Sequence, residues 1–291
     1  MERIRSLFSK SSSSHSFQIL SDLHLEVGQQ YSTFEIPPSA PYLILAGDIG
    51  RLIDYDSYLS FLARQMQGFE KVFLVLGNHE FYGLSFPAGL QQARNLEREP
   101  VLNQKLVLLH QTRFDVPDSE ISVLGCTLWS RIRDDAREVV RMKVKDFEKI
   151  TDWEVASHNA AYEADIEWLR GQVAGMREAG KGKGKGGAGK RSERTTLIVT
   201  HHAPSVQETA HPQHVDNAWS SAFATDVLGG GDWGDVKFWV FGHTHFTTEF
   251  VKEGVKVVSN QRGYVLPGSV QKIEKERDKK RVFYVRKVVY M

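Results

Sequence analysis

A single cysteine, Cys126, in a chain of 291 residues has no partner within the chain, which excludes an internal disulfide and a cysteine-based zinc site. An excess of charge of one sign is missing too: 37 Lys and Arg stand against 36 Asp and Glu, a formal net charge of +1. That balance argues against a nucleic-acid-coating surface or an acidic-tail protein, so any affinity for phosphate has to come from a local site. No apolar run reaches the roughly 20 residues needed to span a bilayer, and no apolar signal core precedes Phe17. Residues 1–16, with Arg3, Arg5, Lys10 and a serine run, read as a disordered tail. A mitochondrial presequence is the alternative that this composition leaves open. Together these absences predict a soluble protein of a reducing compartment, the cytoplasm by default.

What is present is ample apolar material, 41% of residues, arranged in short runs. Phe17–Leu20, Tyr42–Ala46 and Val72–Leu76 have strand length, and each ends in polar residues or glycine. Between the last two, Tyr58, Leu59, Phe61, Leu62 and Met66 recur along one face of a helix. This β-α-β pattern predicts a largely parallel sheet with buried strands. Leu106–Leu109, Ile121–Leu124, Thr196–Thr200 and Lys237–Phe241 continue the strand series, with a helix expected near Trp219–Leu228. From Asp134 to about Arg177 the chain turns charged and helical, with Val155, Tyr162, Ile166, Trp168 and Leu169 as core candidates. Phe250–Val258 and Arg281–Tyr290 suit antiparallel strands. The expected architecture is one α/β domain over residues 17–291, with two sheets and outer helices. A Lys/Gly stretch, residues 181–191, interrupts it as a flexible surface loop.

The chemistry lies in five polar motifs, each directly after a predicted strand, where open α/β sheets place their ligands. They are Asp22-Leu-His24, Gly47-Asp48, Gly77-Asn78-His79-Glu80, His201-His202 and Gly242-His243-Thr244-His245. Carboxylates, imidazoles and an amide oxygen without a thiolate suit divalent manganese, iron or zinc. Asp22 and His24, like His243 and His245, are two apart, so on extended backbone each pair shares a face. A lone D-x-H or G-D arises often by chance, and a lone strand-end histidine is more often structural than a ligand. Five such motifs, each after a strand, are not explained that way. His110, His158, His211 and His214 fall outside them and read as structural or exposed.

The ordered set D-x-H, G-D, G-N-H-E, H and G-H-x-H resembles the calcineurin-like metallophosphoesterase superfamily over residues 17 to about 250. The resemblance implies a four-layer α-β-β-α sandwich of two mixed sheets flanked by helices, and a pair of divalent metal ions, manganese taken first. It implies that Asp22, His24, Asp48 and His245 bind one metal, while Asp48, Asn78, His201 and His243 bind the second, with Asp48 as the bridge. His79 matches the family's non-ligand catalytic histidine, placed near the leaving-group or phosphate oxygen. Glu80 is expected to orient a neighbouring ligand. His201 takes the ligand position after its strand, which leaves His202 for the opposite side or for substrate. Arg262, in SNQRGY, is expected either to hold a phosphate or to brace its loop.

SDLHLE and GDIGR depart from the G-D-x-H-G and G-D-x-V-D-R-G strings of the protein Ser/Thr phosphatase branch, so a phosphoprotein substrate is disfavoured. LGNHEFYG, GCTLWS and THHAPS resemble stand-alone metallophosphoesterases. The implied activity is hydrolysis of a small-molecule or nucleotide phosphodiester or phosphomonoester by attack of a metal-bound hydroxide, with the diester preferred. The alternatives are a nuclease, which the absence of a basic-aromatic groove opposes, and a non-catalytic scaffold of the same fold, which filled ligand positions oppose. A small phosphate ester is the expected partner; neither a membrane nor a protein partner is predicted. Deleting residues 181–191 is expected to leave the melting temperature and phosphoesterase turnover close to those of the full chain, because closing a shorter flexible connector changes little. A collapse of turnover at unchanged melting temperature would place that loop on the substrate.

Overall fold

The computed structural model describes residues 15–182, 194–266 and 282–291. Most of the expected tail, residues 1–14, and nearly all of the expected Lys/Gly loop lie outside them, although 181–182 still belong to a helix.

Two sheets carry the domain. The first has the order β11-β1-β2-β3-β4, built from β1 (Ser16–Leu20), β2 (Tyr42–Ala46), β3 (Lys71–Val75), β4 (Leu106–Leu108) and β11 (Val288–Tyr290). Its four leading strands run parallel, and β11 closes the edge antiparallel to β1. The second has the order β5-β6-β7-β8-β10-β9, from β5 (Thr112–Asp115), β6 (Ile121–Cys126), β7 (Thr195–Thr200), β8 (Val236–Phe241), β9 (Glu249–Lys252) and β10 (Val255–Ser259). Strands β6, β7, β8 and β10 are parallel, while β5 and β9 flank them antiparallel, so both sheets are mixed.

Strand alternation sorts the apolar residues into layers. Phe17, Ile19, Ile44, Ala46, Phe73 and Val75 of the first sheet share one cluster with Val123, Leu197, Val199, Val240 and Val258 of the second, which is the layer between the sheets. The intervening residues, Leu43, Leu45, Leu74, Leu124, Ile198 and Trp239, belong to a separate cluster with the helices. There, α1 (Tyr55–Gly68) packs on β3 and α2 (Phe86–Arg98) on β4, while α5 (Val155–Gly182) packs on β6. Two short helices, α3 (Arg137–Lys143) and α4 (Asp146–Lys149), precede α5. The result is two mixed sheets flanked by helices, the layered arrangement expected from the sequence.

Three expectations need correction. Ser16, assigned to the tail, is the first residue of β1. Strand β5, with its half-exposed alternation, was not foreseen. The helix expected near Trp219–Leu228 is replaced by two 3-10 turns, Ser220–Ala222 and Leu228–Gly230. Beyond the short turns, the backbone of this segment bonds to a neighbouring loop: Ala203 N donates to Phe223 O, Thr225 N to Ala203 O, and Val227 N to Pro204 O.

Two buried amides fasten the chain's last segment beneath the site. Gln18 on β1 donates to Val285 O (2.6 Å) and Pro37 O (3.2 Å) and accepts from Ser39 N (2.7 Å). Asn260, just after β10, donates to Ile19 O (2.7 Å) and Tyr284 O (2.9 Å) and accepts from Tyr284 N (2.9 Å). Gln18→Leu strands one donor and two acceptors, and each stranded buried group costs about 1–3 kcal/mol. The urea midpoint should therefore fall by the equivalent of roughly 2–4 kcal/mol with the denaturant slope unchanged. A midpoint equal to that of the unaltered chain would show that these bonds contribute nothing net.

Candidate metal centre

All five motifs meet at one end of the two sheets, where the loops after β1, β2, β3, β7 and β8 continue one another's hydrogen bonding. Asp22 N donates to Gly47 O, His24 N to Asp48 O, His201 N to Thr127 O, and Gly242 N to His201 O. Five of the expected ligands, Asp22, His24, Asp48, His243 and His245, sit on left-handed backbone, with φ of 53°, 47°, 53°, 73° and 51°. Such a conformation is strained for a side chain other than glycine and persists only where the surroundings over-determine it. The kink turns each side chain off the strand direction into a common space.

The glycines clear that space. A Cβ on Gly77 would fall on Asp48 Oδ1 and lie 2.7 Å from His201 Nε2. One on Gly242 would approach Asp22 Oδ2 and Ala46 O to 2.8 Å. The motif glycines are thus needed for close approach of ligand to bare backbone, and Gly47, at φ 87°, for its turn as well.

The side chains form two groups that share one carboxylate. Asp22, His24 and His245 bring ligand atoms within 4.8 Å of one another, and so do Asp48, His201 and His243. His24 Nε2 lies 2.8 Å from His245 Nε2 and 3.8 Å from Asp48 Oδ2, while His201 Nε2 lies 3.4 Å from Asp48 Oδ1 and 3.2 Å from Asn78 Oδ1. Asp48 therefore presents one oxygen to each group. Burial alone would raise its pKa, but the facing His201 and further imidazoles outweigh this and hold it well below the usual carboxylate range. Converging imidazole, carboxylate and amide donors fit a pair of divalent cations, which would relieve the crowding of two ring nitrogens at hydrogen-bond distance.

Neighbours fix which atom each ligand offers. His201 Nδ1 lies 2.9 Å from Ala46 O, so it carries the proton and Nε2 faces the centre. His24 directs Nδ1 to Glu26 Oε1 (3.4 Å), and Asp22 accepts from His243 N (2.9 Å). Asn78 Nδ2 donates to Asp146 Oδ1 (2.7 Å), which turns the amide oxygen inward; Tyr82 OH donates to the same carboxylate oxygen (2.8 Å). Glu80 receives N–H bonds from Asp48 (2.9 Å), Ile49 (2.8 Å), Gly50 (3.3 Å) and Gly77 (2.6 Å), and an O–H bond from Tyr58 (3.0 Å). Burial and Asp48 push its pKa up to about 7, while His201 and the donated N–H bonds pull it down.

His79 stands beside both groups. Its Nδ1 meets Glu26 Oε1 at 2.8 Å, its Nε2 meets Tyr264 OH at 3.1 Å, and its backbone N donates to Asp48 Oδ1 (2.9 Å). Its two ring nitrogens are thus engaged by Glu26 and Tyr264, while His24, Asp48 and His79 also bring ligand atoms within 4.8 Å of one another, so the ring stands against the Asp48 end of the centre. Burial disfavours its charged form, but Asp48 and Glu26 outweigh burial and raise it to about 9. Burial likewise opposes ionised Glu26, yet bonds to His24 and His79 bring that carboxyl down to about 2.

The two candidate substrate residues are placed differently from the rest. His202 is fully buried, its ring stacked 4.0 Å from His243 and 5.3 Å from Trp129. With no exposed surface it packs behind the centre, which corrects the expectation of a substrate contact; burial lowers its pKa well below the usual value. Arg262 braces its loop: the guanidinium donates to Leu23 O (3.0 Å) and Gln30 Oε1 (2.8 Å) and lies over the Phe34 ring. Sequence reasoning missed Glu26, Tyr82, Asp146 and Tyr264. Glu26, Tyr82 and Tyr264 were within reach, in the strings SDLHLE, LGNHEFYG and SNQRGY; Asp146 meets the site only through the fold.

A family model described as calcineurin-like phosphoesterase matches residues 16–246. Uncharacterized protein L509 of Acanthamoeba polyphaga mimivirus is 26% identical over 274 residues, covering 84% of this chain and 90% of that protein. Among solved structures, the chain is similar in fold to a phosphopantetheinyl hydrolase from Mycobacterium tuberculosis, with a TM-score of 0.61 and 16% identity. That likeness covers 87% of this chain and 91% of the other.

Gly77→Ala tests the close approach directly. The added methyl displaces Asp48 and His201 together, so bound metal measured by plasma emission should drop below half of its unaltered value while far-ultraviolet dichroism is kept. Full metal content in the alanine variant would show that the centre does not depend on that contact.

Proposed function

The chain belongs to the calcineurin-like phosphoesterase family, and from that membership we propose that it is a dinuclear metal-dependent hydrolase of small phosphate esters, acting on diesters in preference to monoesters. The observation that carries this reading is the Asp48 carboxylate, which faces His24 through one oxygen and His201 through the other, with the His79 imidazole beside it. Asp22, His24, Asp48 and His245 would hold one ion, and Asp48, Asn78, His201 and His243 the other, with manganese the first choice. Bound there, two divalent ions supply Lewis-acid charge for the phosphoryl oxygens and lower the pKa of attacking water.

The protein's own groups do the rest. Glu26 accepts from His79 Nδ1 and leaves Nε2 directed to the open side, where His245 is 30% exposed. Held by Glu26 at Nδ1, His79 is placed to give a proton from Nε2 to the leaving oxygen as the bond to phosphorus breaks. The diester preference rests on Arg262: its guanidinium is committed to Leu23, Gln30 and Phe34, so it is not free to clamp a phosphate dianion. A small phosphate diester is the substrate class this favours.

The test is metal analysis of the purified protein joined to hydrolysis of bis-p-nitrophenyl phosphate and p-nitrophenyl phosphate with added manganese. About two metals per chain and faster diester turnover are expected. His79→Asn should keep the metals and lose on the order of 10²–10⁴ in kcat, as for removal of a general acid. Asp48→Asn should lose both metals and turnover. Equal metal loss in the two variants would contradict the assignment of His79, and a metal-free, inactive protein would favour the scaffold alternative.

A further inference from the structure

The loop after β10, which carries the SNQRGY string, contributes a residue to which the sequence reading gave no role. Tyr264 touches three site imidazoles: its ring lies 4.3 Å from that of His24 and 4.8 Å from that of His245, and its hydroxyl is 3.1 Å from His79 Nε2. Yet Tyr264 is 59% exposed. A side chain that is both in contact with the centre and open to solvent stands at its mouth, in the path an ester must take.

Its position is built. Gln30, buried, accepts from Arg262 Nη2 (2.8 Å) and donates to Val265 O (2.8 Å) and Val27 O (2.6 Å), so one amide side chain ties down the loop on both sides of Tyr264. Arg262 adds its bond to Leu23 O, within the Asp22 motif itself. Gly263, at φ 71°, makes the turn that aims the ring. On the other flank of His79, the Tyr82 ring lies tilted at 4.2 Å and is fixed by Asp146. The imidazole is thus walled by an anchored tyrosine on one side and an exposed one on the other.

We propose that Tyr264 forms the leaving-group subsite: its exposed ring face stacks on a planar, aromatic leaving group, and its hydroxyl marks at His79 Nε2 the place the leaving oxygen takes. This inference rests on the phosphoesterase reading and adds a substrate class to it, esters whose departing alcohol is aryl or carries a ring. Offset stacking on a tyrosine face contributes enough to shift affinity by about tenfold. Because the ring and the hydroxyl do different things, Tyr264→Phe and Tyr264→Ala separate them.

The experiment measures equilibrium binding of phenylphosphonate and methylphosphonate, neither of which turns over, to the manganese-loaded protein by calorimetry, with metal content determined for every variant. The unaltered protein and Tyr264→Phe should bind phenylphosphonate about tenfold more tightly than methylphosphonate, and Tyr264→Ala should bind the two alike. Tyr264→Trp should keep the preference, which guards against a result due only to a disturbed loop. Preference retained in Tyr264→Ala, or absent in the unaltered protein, overturns the subsite. Kinetics add a second readout: Tyr264→Ala should raise KM for bis-p-nitrophenyl phosphate and not for dimethyl phosphate. Failure of the underlying reading looks different, namely a metal-loaded protein that binds both phosphonates and hydrolyses neither ester.

Discussion

The geometry of this protein depends on one buried carboxylate. Asp48 sits on left-handed backbone with one oxygen toward the Asp22, His24 and His245 group and the other toward His201 and Asn78. Such a charge survives burial only when compensated on several sides. Compensation comes from imidazoles across the cleft and from the His79 N–H, whereas the backbone that carries Asp48 is held separately by Glu80. The four backbone N–H groups that converge on Glu80 come from the loops after β2 and β3, so a side chain outside the ligand set fixes the distance between two ligand loops. Strain in the kinked backbone is local and is opposed by this network.

From that constraint the division of labour follows. The layer between the sheets and the helix-facing layers supply rigid strands, and the strand tips supply ligands whose aim is set by neighbours: Ala46 O for His201, Asp146 for Asn78, Glu26 for His24 and His79. The side of the centre bearing His79, His245 and Tyr264 reaches solvent. Packing of His202 and Phe223 against His243 seals the opposite side, where His158 is also buried and held neutral by burial.

Much of this was legible in the sequence because it is local. An apolar run that stops at D-x-H or G-N-H-E states both a strand and what its tip carries, and strands β1, β2, β3, β7 and β8 lie where those runs stand. Core positions Tyr162, Ile166 and Leu169 followed from helical spacing in the same way. What was not legible depends on contacts between distant segments. Asp146 meets Asn78 across 68 residues, and nothing in the DFEK string marks it as a partner of an amide. The segment 219–228 has helix-compatible residues, but the N–H groups of Thr225, Val227 and Leu228 donate to the 203–204 loop, which ends the helical turn at Ser220–Ala222. His202 stands beside the ligand position in the sequence and is as buried as His201, but it is the His201 ring whose Nε2 faces Asp48 and Asn78.

The central claim is that two metal ions share Asp48, and the most direct measurement is anomalous diffraction at the manganese edge from crystals of the manganese-loaded protein. The account predicts two peaks flanking the Asp48 carboxylate, one among Asp22, His24 and His245 and the other among Asn78, His201 and His243. A single peak, or peaks away from Asp48, would contradict it.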